Sequence, residues 1–345
     1  MILVTGATGC LGSALVRALV LRGERVAALR LLDAAPPAQL AAFADRIDWR
    51  IGDVRDVPSV RAALDGVTHV YHLAGIAVPF NRLRRHMQEI NVGGTATLAA
   101  LAREAGVRRV VYTSSSSTIG IPEDGFAASE TFAYNGERFN FGYMHSKRGA
   151  EEAILREAAR GLDVVIVNPT AVMAPGGDTG SGWCGAVSAI AERRLRLVPS
   201  GGVAVVTGDD MVDGHVKAMA RGRSGERYIL NTVNITYREL VLMIAAVAGA
   251  APPRAIAPSG LLRVAGAFNT ARNALRRDPM SSSPLTWEHV PLLSRRVYYD
   301  QSKAVRELEL SQTSLRAAVE DVYRWWQTAT GRTTATGEHA AAGSV

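Results

Sequence analysis

A tyrosine and a lysine four residues apart form the pair in this sequence best suited to proton transfer. Tyr143 and Lys147 open a segment with helical patterning, and their i, i+4 spacing places both side chains on one helix face. A phenol has an ordinary pKa of about 10, and a neighbouring ammonium group favours the phenolate and lowers that pKa. We therefore expect Tyr143 to give a proton to a carbonyl oxygen while a hydride reaches the carbonyl carbon.

A run of hydroxyl side chains, Thr113 to Thr118, ends a strand-like segment that precedes this pair. A hydroxyl at such a strand end is expected to hydrogen-bond the reacting oxygen beside Tyr143. Lysine is rare in the chain, since Lys147, Lys217 and Lys303 are the only lysines among 39 basic residues. Because nearly all basic residues of this chain are arginines, we expect its three lysines to make specific contacts.

The segment from Gly6 to Gly12, GATGCLG, follows the first predicted strand and opens the first predicted helix. Glycines at this spacing permit a tight turn, close approach of a pyrophosphate and close packing of helix on strand. The helix N terminus presents free N–H groups to the anion. The pattern in this context predicts a dinucleotide-binding site.

The residue that ends the second strand of such a site distinguishes the two nicotinamide coenzymes. An acid there binds the 2′-hydroxyl of the adenine ribose, whereas an arginine accommodates a 2′-phosphate. That position is Arg30, and the first carboxylate, Asp33, follows three residues later in a predicted loop. The sequence therefore favours NADP(H), with NAD(H) as the alternative coenzyme.

Short β-branched segments alternate with amphipathic ones over the first half of the chain. The predicted strands are Ile2–Thr5, Arg25–Leu29, Ile47–Ile51, His69–Leu73, Arg109–Ser114 and Asp163–Asn168. The predicted helical segments between them lie near 11–22, 57–64, 82–105 and 143–160. Alternation of this kind predicts an α/β fold, a Rossmann doubly wound parallel sheet.

After Pro169 the alternation of strands and helices ends, and Gly/Pro-rich loops and helical segments follow. The helices are predicted near 183–195, 210–221, 236–249, 260–276 and 312–327. We predict a coenzyme-binding domain over 1–170, with later returns to its sheet at about 203–232. A smaller, mostly helical substrate-binding lobe is predicted over 171–327, and a disordered tail over 328–345.

Composition excludes several classes of protein. The 345 residues are 48% hydrophobic and 21% charged, with a mean hydropathy of +0.06, which is typical of a soluble globular enzyme. The net charge of +7 is scattered rather than concentrated, so no nucleic-acid partner is expected. Two cysteines, Cys10 and Cys184, are too few for the disulfide framework of a small secreted fold, and no Cys/His spacing predicts a metal site. The longest apolar run, 240–251, is too short for stable membrane insertion, and no signal peptide is visible, so we expect a cytoplasmic protein.

The predicted helix near 261–275 carries apolar residues at helical spacing, with arginines nearby. We expect an amphipathic helix whose apolar face packs on the lobe. A membrane-surface helix or a lid over the substrate is the alternative. Arg272 falls on the apolar side, which argues against an uninterrupted membrane face.

The whole pattern resembles one family, the extended short-chain dehydrogenase/reductases of the NAD-dependent epimerase/dehydratase superfamily. Within it, the chain is most similar to dihydroflavonol-reductase-like proteins and hopanoid-associated sugar epimerases. The motifs that carry the resemblance are TGATGCLG at 5–12, GDV at 52–54, HLAG at 72–75, NVGGT at 91–95, YTSS at 112–115, YMHSK at 143–147 and NPT at 168–170.

The resemblance implies roles for individual residues. Ser115, Tyr143 and Lys147 are the implied catalytic residues, and Asp53 is implied to bind the adenine amino group. The implied coenzyme site comprises Gly6, Thr8, Gly9, Cys10, Leu11, Gly12, Arg30, Asp53, Val54, Leu73, Ala74, Gly75, Asn91, Thr113, Tyr143, Lys147, Pro169, Thr170 and Val172. Candidate substrate-binding residues are Ser116, Phe139 and Trp183.

We therefore expect an NADPH-dependent reductase that acts on a ketone or aldehyde, an apolar or aromatic small molecule. Four phenylalanines before Tyr143, at 126, 132, 139 and 141, are expected either to line its cleft or to anchor their loop. One alternative is a nucleotide-sugar epimerase or dehydratase with tightly bound NAD, in which Arg193, Arg194 and Arg196 grip a pyrophosphate. Another is a non-catalytic NADP(H)-sensing protein. The resemblance also implies a homodimer.

Overall fold

A computed structural model describes residues 1–332 apart from 79, 177–181, 254, 276–284 and 288. Seven strands form its main sheet, and all seven run parallel. They are β1 (Ile2–Thr5), β2 (Val26–Arg30), β3 (Ile47–Ile51), β4 (His69–His72), β5 (Arg109–Thr113), β7 (Val164–Pro169) and β11 (Arg227–Leu230). The spatial order is β11-β7-β5-β4-β1-β2-β3, so the chain reverses direction of travel between β1 and β4. This is the doubly wound arrangement that the sequence predicts, and ligands bind at the carboxyl ends of the strands beside such a reversal.

The main sheet is buried on both faces, which explains why its strands read as continuous apolar runs. The helices on one face are α1 (Cys10–Leu21), α7 (Gly208–Arg221) and α11 (Ser302–Leu308). The opposite face is covered by α2 (Val57–Ala63), α4 (Thr95–Glu104) and α5 (Gly142–Ala158). Where the sequence predicts one of these strands or helices individually, the predicted and observed boundaries differ by one or two residues, apart from the segment described next. No individual prediction covers α11 or β11.

The segment predicted as one helix over 82–105 is divided. A 3₁₀ turn at Asn81–Leu83 leads into α3 (Arg84–Met87), a π-helical segment at Gln88–Gly94, and then α4. A π-helical segment inserts residues into the normal helical repeat and often marks a functional position. Here it contains Asn91, which is almost fully buried.

The carboxyl-terminal lobe contains more strand than the sequence predicts. The strands of a second sheet are β6 (Ala127–Ala128), β8 (Ala171–Met173), β10 (Gly202–Thr207), β12 (Val233–Thr236) and β14 (Arg296–Tyr299). Their order is β12-β10-β14-β6, and β8 is also paired to β10. Of the predicted returns to the main sheet at about 203–232, only β11 joins it, whereas β10 belongs to this second sheet. A two-stranded pair, β9 (Leu197–Val198) and β13 (Ala255–Ile256), completes the strands of the described residues.

Helices cover the second sheet and shape the substrate side of the molecule. They are α6 (Gly182–Ala191), α8 (Tyr237–Ala248), α9 (Ser259–Leu275), α10 (Val290–Leu293) and α12 (Leu315–Ala329). The last helix extends past Thr328, where the sequence predicts that disorder begins, and the predicted tail beyond 332 lies outside the described residues. No described helix is long and apolar enough to cross a membrane.

Candidate active site

The glycine loop after β1 lies at the point where the sheet reverses. Gly6 has a positive φ of 69°, and a Cβ atom there would lie 2.7 Å from the backbone nitrogen of Ala74. A Cβ atom on Gly12 would lie 2.1 Å from the carbonyl oxygen of Gly6. These two glycines therefore allow β1, α1 and the loop after β4 to meet closely, as the sequence predicts.

The N terminus of α1 is suited to an anion. Its cap residue, Gly9, offers no side chain, and no side-chain hydrogen bond from the described residues satisfies the cap. A Cβ atom on Gly9 would approach only the Gly6 carbonyl oxygen, at 3.4 Å, so the space beyond this glycine is open. Free N–H groups and the positive end of the helix dipole therefore face an open cradle, which fits the pyrophosphate of a dinucleotide. Cys10, at the start of α1, donates from its Sγ to the Pro175 carbonyl, and burial raises the pKa of its thiol.

A cleft of about 350 Å³ continues from this loop along the ends of β2, β3 and β4. Its lining includes Gly6, Thr8, Arg30, Asp53, Val54, Arg55, Ala74, Gly75, Ile76 and His86. Seven of the residues that the family resemblance implies for the coenzyme therefore lie in one cleft. Asp53 forms an ion pair with Arg55 at 2.6 Å, and this hydrogen bond lowers the pKa of the Asp53 carboxyl.

Arg30 lies at the rim of the cleft and is the last residue of β2. One of its terminal nitrogens, Nη1, donates to the carbonyl oxygen of Ala34 at 3.0 Å, which folds the side chain over its own loop. Its Nε is buried and has no hydrogen-bond partner. A buried donor without an acceptor is costly, so this nitrogen is suited to an anionic oxygen bound in the cleft.

The other implied coenzyme residues lie close to the cleft or to the catalytic groups. Asn91 accepts from the Ile76 N–H at 2.7 Å and donates to the Ile76 carbonyl at 3.0 Å, so it holds the wall of the cleft after β4. Thr170 donates to Asn231 Oδ1 at 3.1 Å, and Val172 belongs to β8. Thr113, Pro169 and Leu73 end or follow β5, β7 and β4, while Leu11 lies in the first turn of α1.

The three implied catalytic residues lie near one another. Ser115 follows the carboxyl end of β5, and Tyr143 and Lys147 lie in the first two turns of α5. The Ser115 hydroxyl lies close enough to the Tyr143 phenol to lower the pKa of that phenol. The Ser115 oxygen accepts from the N–H of Ser117 at 3.2 Å and from its hydroxyl at 3.0 Å. Both donors belong to Ser117, so these two contacts do not use the Ser115 proton.

Lys147 is buried and its ammonium is fixed in one place. It donates to the carbonyl oxygen of Thr113 at 2.8 Å and lies 5.2 Å from the centre of the Tyr112 ring. Burial lowers the Lys147 pKa to about 8, while the negative charge of Glu151 opposes that change. The other two lysines are also held by specific contacts, Lys217 with Asp213 and Lys303 with Glu226.

The expected lowering of the Tyr143 pKa is not observed. Burial raises the pKa of this phenol, and the hydrogen bond from Ser115 opposes that change only in part. The Lys147 ammonium is directed at the Thr113 carbonyl rather than at the phenol. Tyr143 is therefore a protonated phenol at neutral pH, which is the form that donates a proton.

The sequence analysis missed a buried carboxylate behind these groups. Glu151 is 1% exposed and accepts from Thr118 Oγ1 and Asn168 Nδ2, each at 2.7 Å. Asn168 also donates to the Ser115 carbonyl at 3.1 Å, so the carboxylate supports the backbone that carries the catalytic serine. A signal was present, because Glu151 follows Lys147 by four residues on the same helix face.

Two buried histidines were also missed. His215 lies within 2.8 Å of the Thr113 hydroxyl, and His72 lies within 2.7 Å of the Thr5 hydroxyl and 3.0 Å of the Thr95 hydroxyl. Burial lowers the pKa to about 4 for His215 and to about 3 for His72, so both rings are neutral at physiological pH. They cross-link the strand ends that carry the glycine loop and the serine run.

The three candidate substrate residues lie in different surroundings. The Ser116 hydroxyl hydrogen-bonds the Tyr299 phenol. Trp183 is half-buried on α6 and packs against the apolar core of the carboxyl-terminal lobe. Phe139 lines a separate cleft of about 840 Å³ together with Phe126, Phe132 and Arg295. Their role in substrate binding stays a prediction.

Phe141, the residue before α5, contacts the catalytic tyrosine directly. Its ring centre lies 6.0 Å from that of Tyr143 and 4.8 Å from that of His289. The aromatic segment before Tyr143 is thus divided. Phe126, Phe132 and Phe139 line the 840 Å³ cleft, and only Phe141 reaches the catalytic groups.

Fold and sequence motifs together define a class of enzyme, the Rossmann-fold NAD(P)-dependent enzymes, and Tyr143 and Lys147 lie on one helix as the candidate acid–base pair. The chain belongs to the NAD dependent epimerase/dehydratase family, whose model matches residues 2–235, and hence to the extended short-chain dehydrogenase/reductases. This confirms the family resemblance found in the sequence.

The similar proteins include both reductases and sugar-modifying enzymes. Sterol demethylase protein B of Methylococcus capsulatus is 35% identical over 329 residues, covering 94% of this chain and 98% of the relative. A putative dihydroflavonol 4-reductase of Synechocystis is 32% identical, with 94% of each chain covered. Among solved structures, gox2253 has a TM-score of 0.81 at 30% identity, covering 96% of this chain and 99% of that one. The dTDP-glucose 4,6-dehydratase DesIV of Streptomyces venezuelae, solved with NAD and TYD, has a TM-score of 0.76 at 25% identity, covering 96% and 98%.

Proposed function

We propose that the protein is an NADPH-dependent reductase that converts an apolar ketone or aldehyde to the alcohol. The observation that carries this proposal is the state of Tyr143, a phenol beside Ser115 whose pKa is raised by burial. Reduction of a carbonyl requires a protonated donor beside the carbonyl oxygen, and this tyrosine is one.

We assign a separate role in the reduction to each of Ser115, Tyr143 and Lys147. The Ser115 hydroxyl and the Tyr143 phenol converge on one point, where they would both hydrogen-bond the carbonyl oxygen of the substrate. When bound, the reduced nicotinamide supplies the hydride that the carbonyl carbon accepts. The C=O π bond breaks toward oxygen, the oxygen takes the Tyr143 proton, and the phenolate regains a proton from solvent. The Lys147 ammonium stays on the Thr113 carbonyl, where it fixes the end of the strand that precedes Ser115.

The pH dependence of reduction should reflect Lys147. Its pKa of about 8 implies that the ammonium is present at neutral pH and is lost as the pH rises through that value. We therefore expect kcat/KM for carbonyl reduction to be constant below about pH 8 and to fall about tenfold per pH unit above it. Steady-state kinetics across this range measure the descending limb.

Lys147→Arg provides the control for that limb, because a guanidinium keeps its charge at all of these pH values. Any residual activity of this variant should lack the limb near pH 8. A limb that stays at the same pH in Lys147→Arg would assign it to another group and contradict the role given to Lys147.

The preference for NADPH rests on Arg30. Arg30 lines the coenzyme cleft, and Arg55 adds a second guanidinium to the same lining. Asp53 is the only carboxylate in the described lining of that cleft, and Arg55 already pairs with it. A basic rim of this kind suits a 2′-phosphate better than a 2′-hydroxyl.

Replacing this arginine by an acid should reverse the coenzyme preference. We expect Arg30→Asp to weaken NADPH binding by about 10- to 100-fold, the worth of one or two charge-assisted hydrogen bonds, and to spare NADH. Fluorescence titration with both coenzymes measures this. Arg17→Asp on the exposed face of α1 is the matched control, and an equal loss of both coenzymes in Arg30→Asp would contradict the assignment.

An apolar substrate is supported by the surroundings of the catalytic tyrosine and by the relatives. The Phe141 and His289 rings stack edge-on beside Tyr143, which gives this side of the site an aromatic wall. The names of similar proteins include a sterol demethylase component and a dihydroflavonol reductase, and 3 beta-hydroxysteroid dehydrogenases match about half of the chain. Ring systems of that kind fit an aromatic wall.

A carbonyl panel tests the proposal. NADPH oxidation would be followed at fixed enzyme concentration with polycyclic ketones, short-chain ketones, aromatic aldehydes and nucleotide sugars. Stoichiometric NADPH consumption with the polycyclic or aromatic compounds is the expected result. Turnover of a nucleotide sugar without net coenzyme consumption would contradict it.

The competing function, a nucleotide-sugar epimerase or dehydratase, is favoured by the family description and by the DesIV structure. The basic group assigned to it does not form a ligand site in the described residues. Arg194 is paired with Glu192, and Arg193, Arg194 and Arg196 are all exposed on the turn after α6. The reductase therefore remains the better proposal.

A further inference from the structure

The outward face of α9 is apolar, contrary to the expectation that it packs on the lobe. Four large side chains are exposed, by 48% at Leu261, 69% at Val264, 66% at Phe268 and 87% at Leu275. We call these four residues the α9 stripe. The opposite face packs inward through Leu262, Gly266 and Asn273. A helix that buries one face and exposes an apolar stripe on the other presents a surface for a partner.

The two charged residues of α9 are both arginines. Arg263 and Arg272 are exposed, and on a helix with 3.6 residues per turn they fall on opposite sides of the stripe. Guanidinium groups on either side of an apolar stripe are complementary to an anionic surface.

A tryptophan lies beside the same helix. The Trp287 backbone N–H donates to Thr270 Oγ1 at 3.0 Å, and the Trp287 side chain is 54% exposed. Tryptophan is enriched where a protein meets the boundary between lipid headgroups and hydrocarbon. Leucine, valine and phenylalanine on one face of a helix with arginines at its edges is the pattern of a helix that lies on an anionic bilayer.

The helix is also connected to the substrate side of the catalytic site. Arg82, in the segment after β4, donates to the Asn273 carbonyl at 2.9 Å. His289, at the start of α10, contacts Phe141, which contacts Tyr143. The inward side of α9 therefore contacts the segment after β4, and the stripe lies on the outward side of the same helix.

We propose that the α9 stripe docks reversibly on the surface of a bilayer that contains anionic lipids. The four apolar side chains enter the headgroup–acyl boundary, and Arg263 and Arg272 extend their guanidinium groups to lipid phosphates. Docking brings the substrate side of the enzyme to a reservoir of apolar molecules. The inference does not depend on the proposed reaction, because lipid binding is measured without turnover.

Vesicle flotation tests it directly with the full chain. Vesicles of equal parts phosphatidylcholine and phosphatidylglycerol should carry the wild-type protein to the top of a density gradient, and phosphatidylcholine vesicles should carry much less. Val264→Glu combined with Phe268→Glu should lower the bound fraction at least about tenfold, because these side chains supply apolar burial. Leu21→Glu, at an exposed leucine at the end of α1, is the matched control and should float like the wild type.

The arginines are tested separately. Arg263→Gln with Arg272→Gln should reduce the difference between the two kinds of vesicle, whereas Arg17→Gln with Arg22→Gln should not. Thermal unfolding and NADPH titration of every variant establish that each folds and binds coenzyme.

Two results would overturn the proposal. One is the absence of wild-type flotation on anionic vesicles, or equal flotation of the Val264/Phe268 variant. The other is wild-type self-association in sedimentation that the same variant abolishes, which would make the stripe an interface between two copies of the chain.

Discussion

Tyr143→Phe is expected to lower kcat for carbonyl reduction by about two to four orders of magnitude, the usual worth of a positioned general acid. The variant loses only the hydroxyl that donates to the carbonyl oxygen, and the ring contact with Phe141 remains. Coenzyme binding should be unchanged, because the glycine loop and the rim at Arg30 lie on other elements. Steady-state kinetics and a coenzyme titration on the same preparation separate the two effects.

Tyr134→Phe is the matched control for this substitution. Tyr134 belongs to the same loop region, and its phenol oxygen is buried without a hydrogen-bond partner. Removing that oxygen should leave kcat unaltered. Wild-type turnover by Tyr143→Phe would show that another group donates the proton, and the mechanism would have to be abandoned.

Gly12→Ala is expected to abolish coenzyme binding and to destabilise the fold. The added Cβ atom would lie 2.1 Å from the Gly6 carbonyl oxygen, and a backbone oxygen fixed at the end of β1 cannot move aside as a side chain can. Overpacking of this kind costs about 3 kcal/mol or more. The NADPH dissociation constant should rise by at least about 100-fold, since the same displacement moves the α1 N terminus away from the pyrophosphate.

Two other glycines make the comparison specific. Gly9→Ala adds a methyl group to the open cradle, so it should weaken coenzyme binding without lowering the melting temperature. Gly93→Ala adds one where the nearest atom is 3.9 Å away, and it should change neither property. Normal coenzyme affinity in Gly12→Ala would mean that the pyrophosphate binds elsewhere.

The main sheet could be predicted because its signals are local. Buried parallel strands read as short apolar runs, and the glycine loop, Arg30 and the Tyr143–Lys147 pair occupy fixed positions relative to those runs. The structure places Ser115 beside Tyr143 although 28 residues separate them, because each lies at the carboxyl end of the sheet. Spacing and the parallel topology predicted that the serine run would meet Tyr143, whereas the choice of Ser115 within that run came from the family resemblance.

The second sheet could not be predicted in the same way. Its strands β6 and β8 have two and three residues, which is too short for a periodic pattern. The pairing of β10 with β12 and β14 brings together residues far apart in sequence, so no local signal specifies it. The division of the 82–105 helix by a π-helical segment also has no reliable signature, because the NVGGT motif identifies Asn91 but not the local helix geometry around it.

The direction of the Tyr143 pKa was wrong for a related reason. Helical spacing places Lys147 within reach of the phenol, but the ammonium binds the Thr113 carbonyl instead, and burial then determines the pKa. Likewise, the apolar residues of α9 were expected to pack inward. Helical periodicity identifies an apolar stripe but does not say whether the stripe or its opposite face meets the core.

The coenzyme of the purified protein gives the most direct test of an NADPH-dependent reductase. Nucleotide released by denaturation would be identified first, and the native protein would then be titrated with NADPH and NADH. The account predicts no retained nucleotide and tighter, exchangeable binding of NADPH. Stoichiometric NAD that remains bound through turnover would contradict it, and would assign the Tyr143–Lys147 pair to an enzyme that recycles its coenzyme on a sugar.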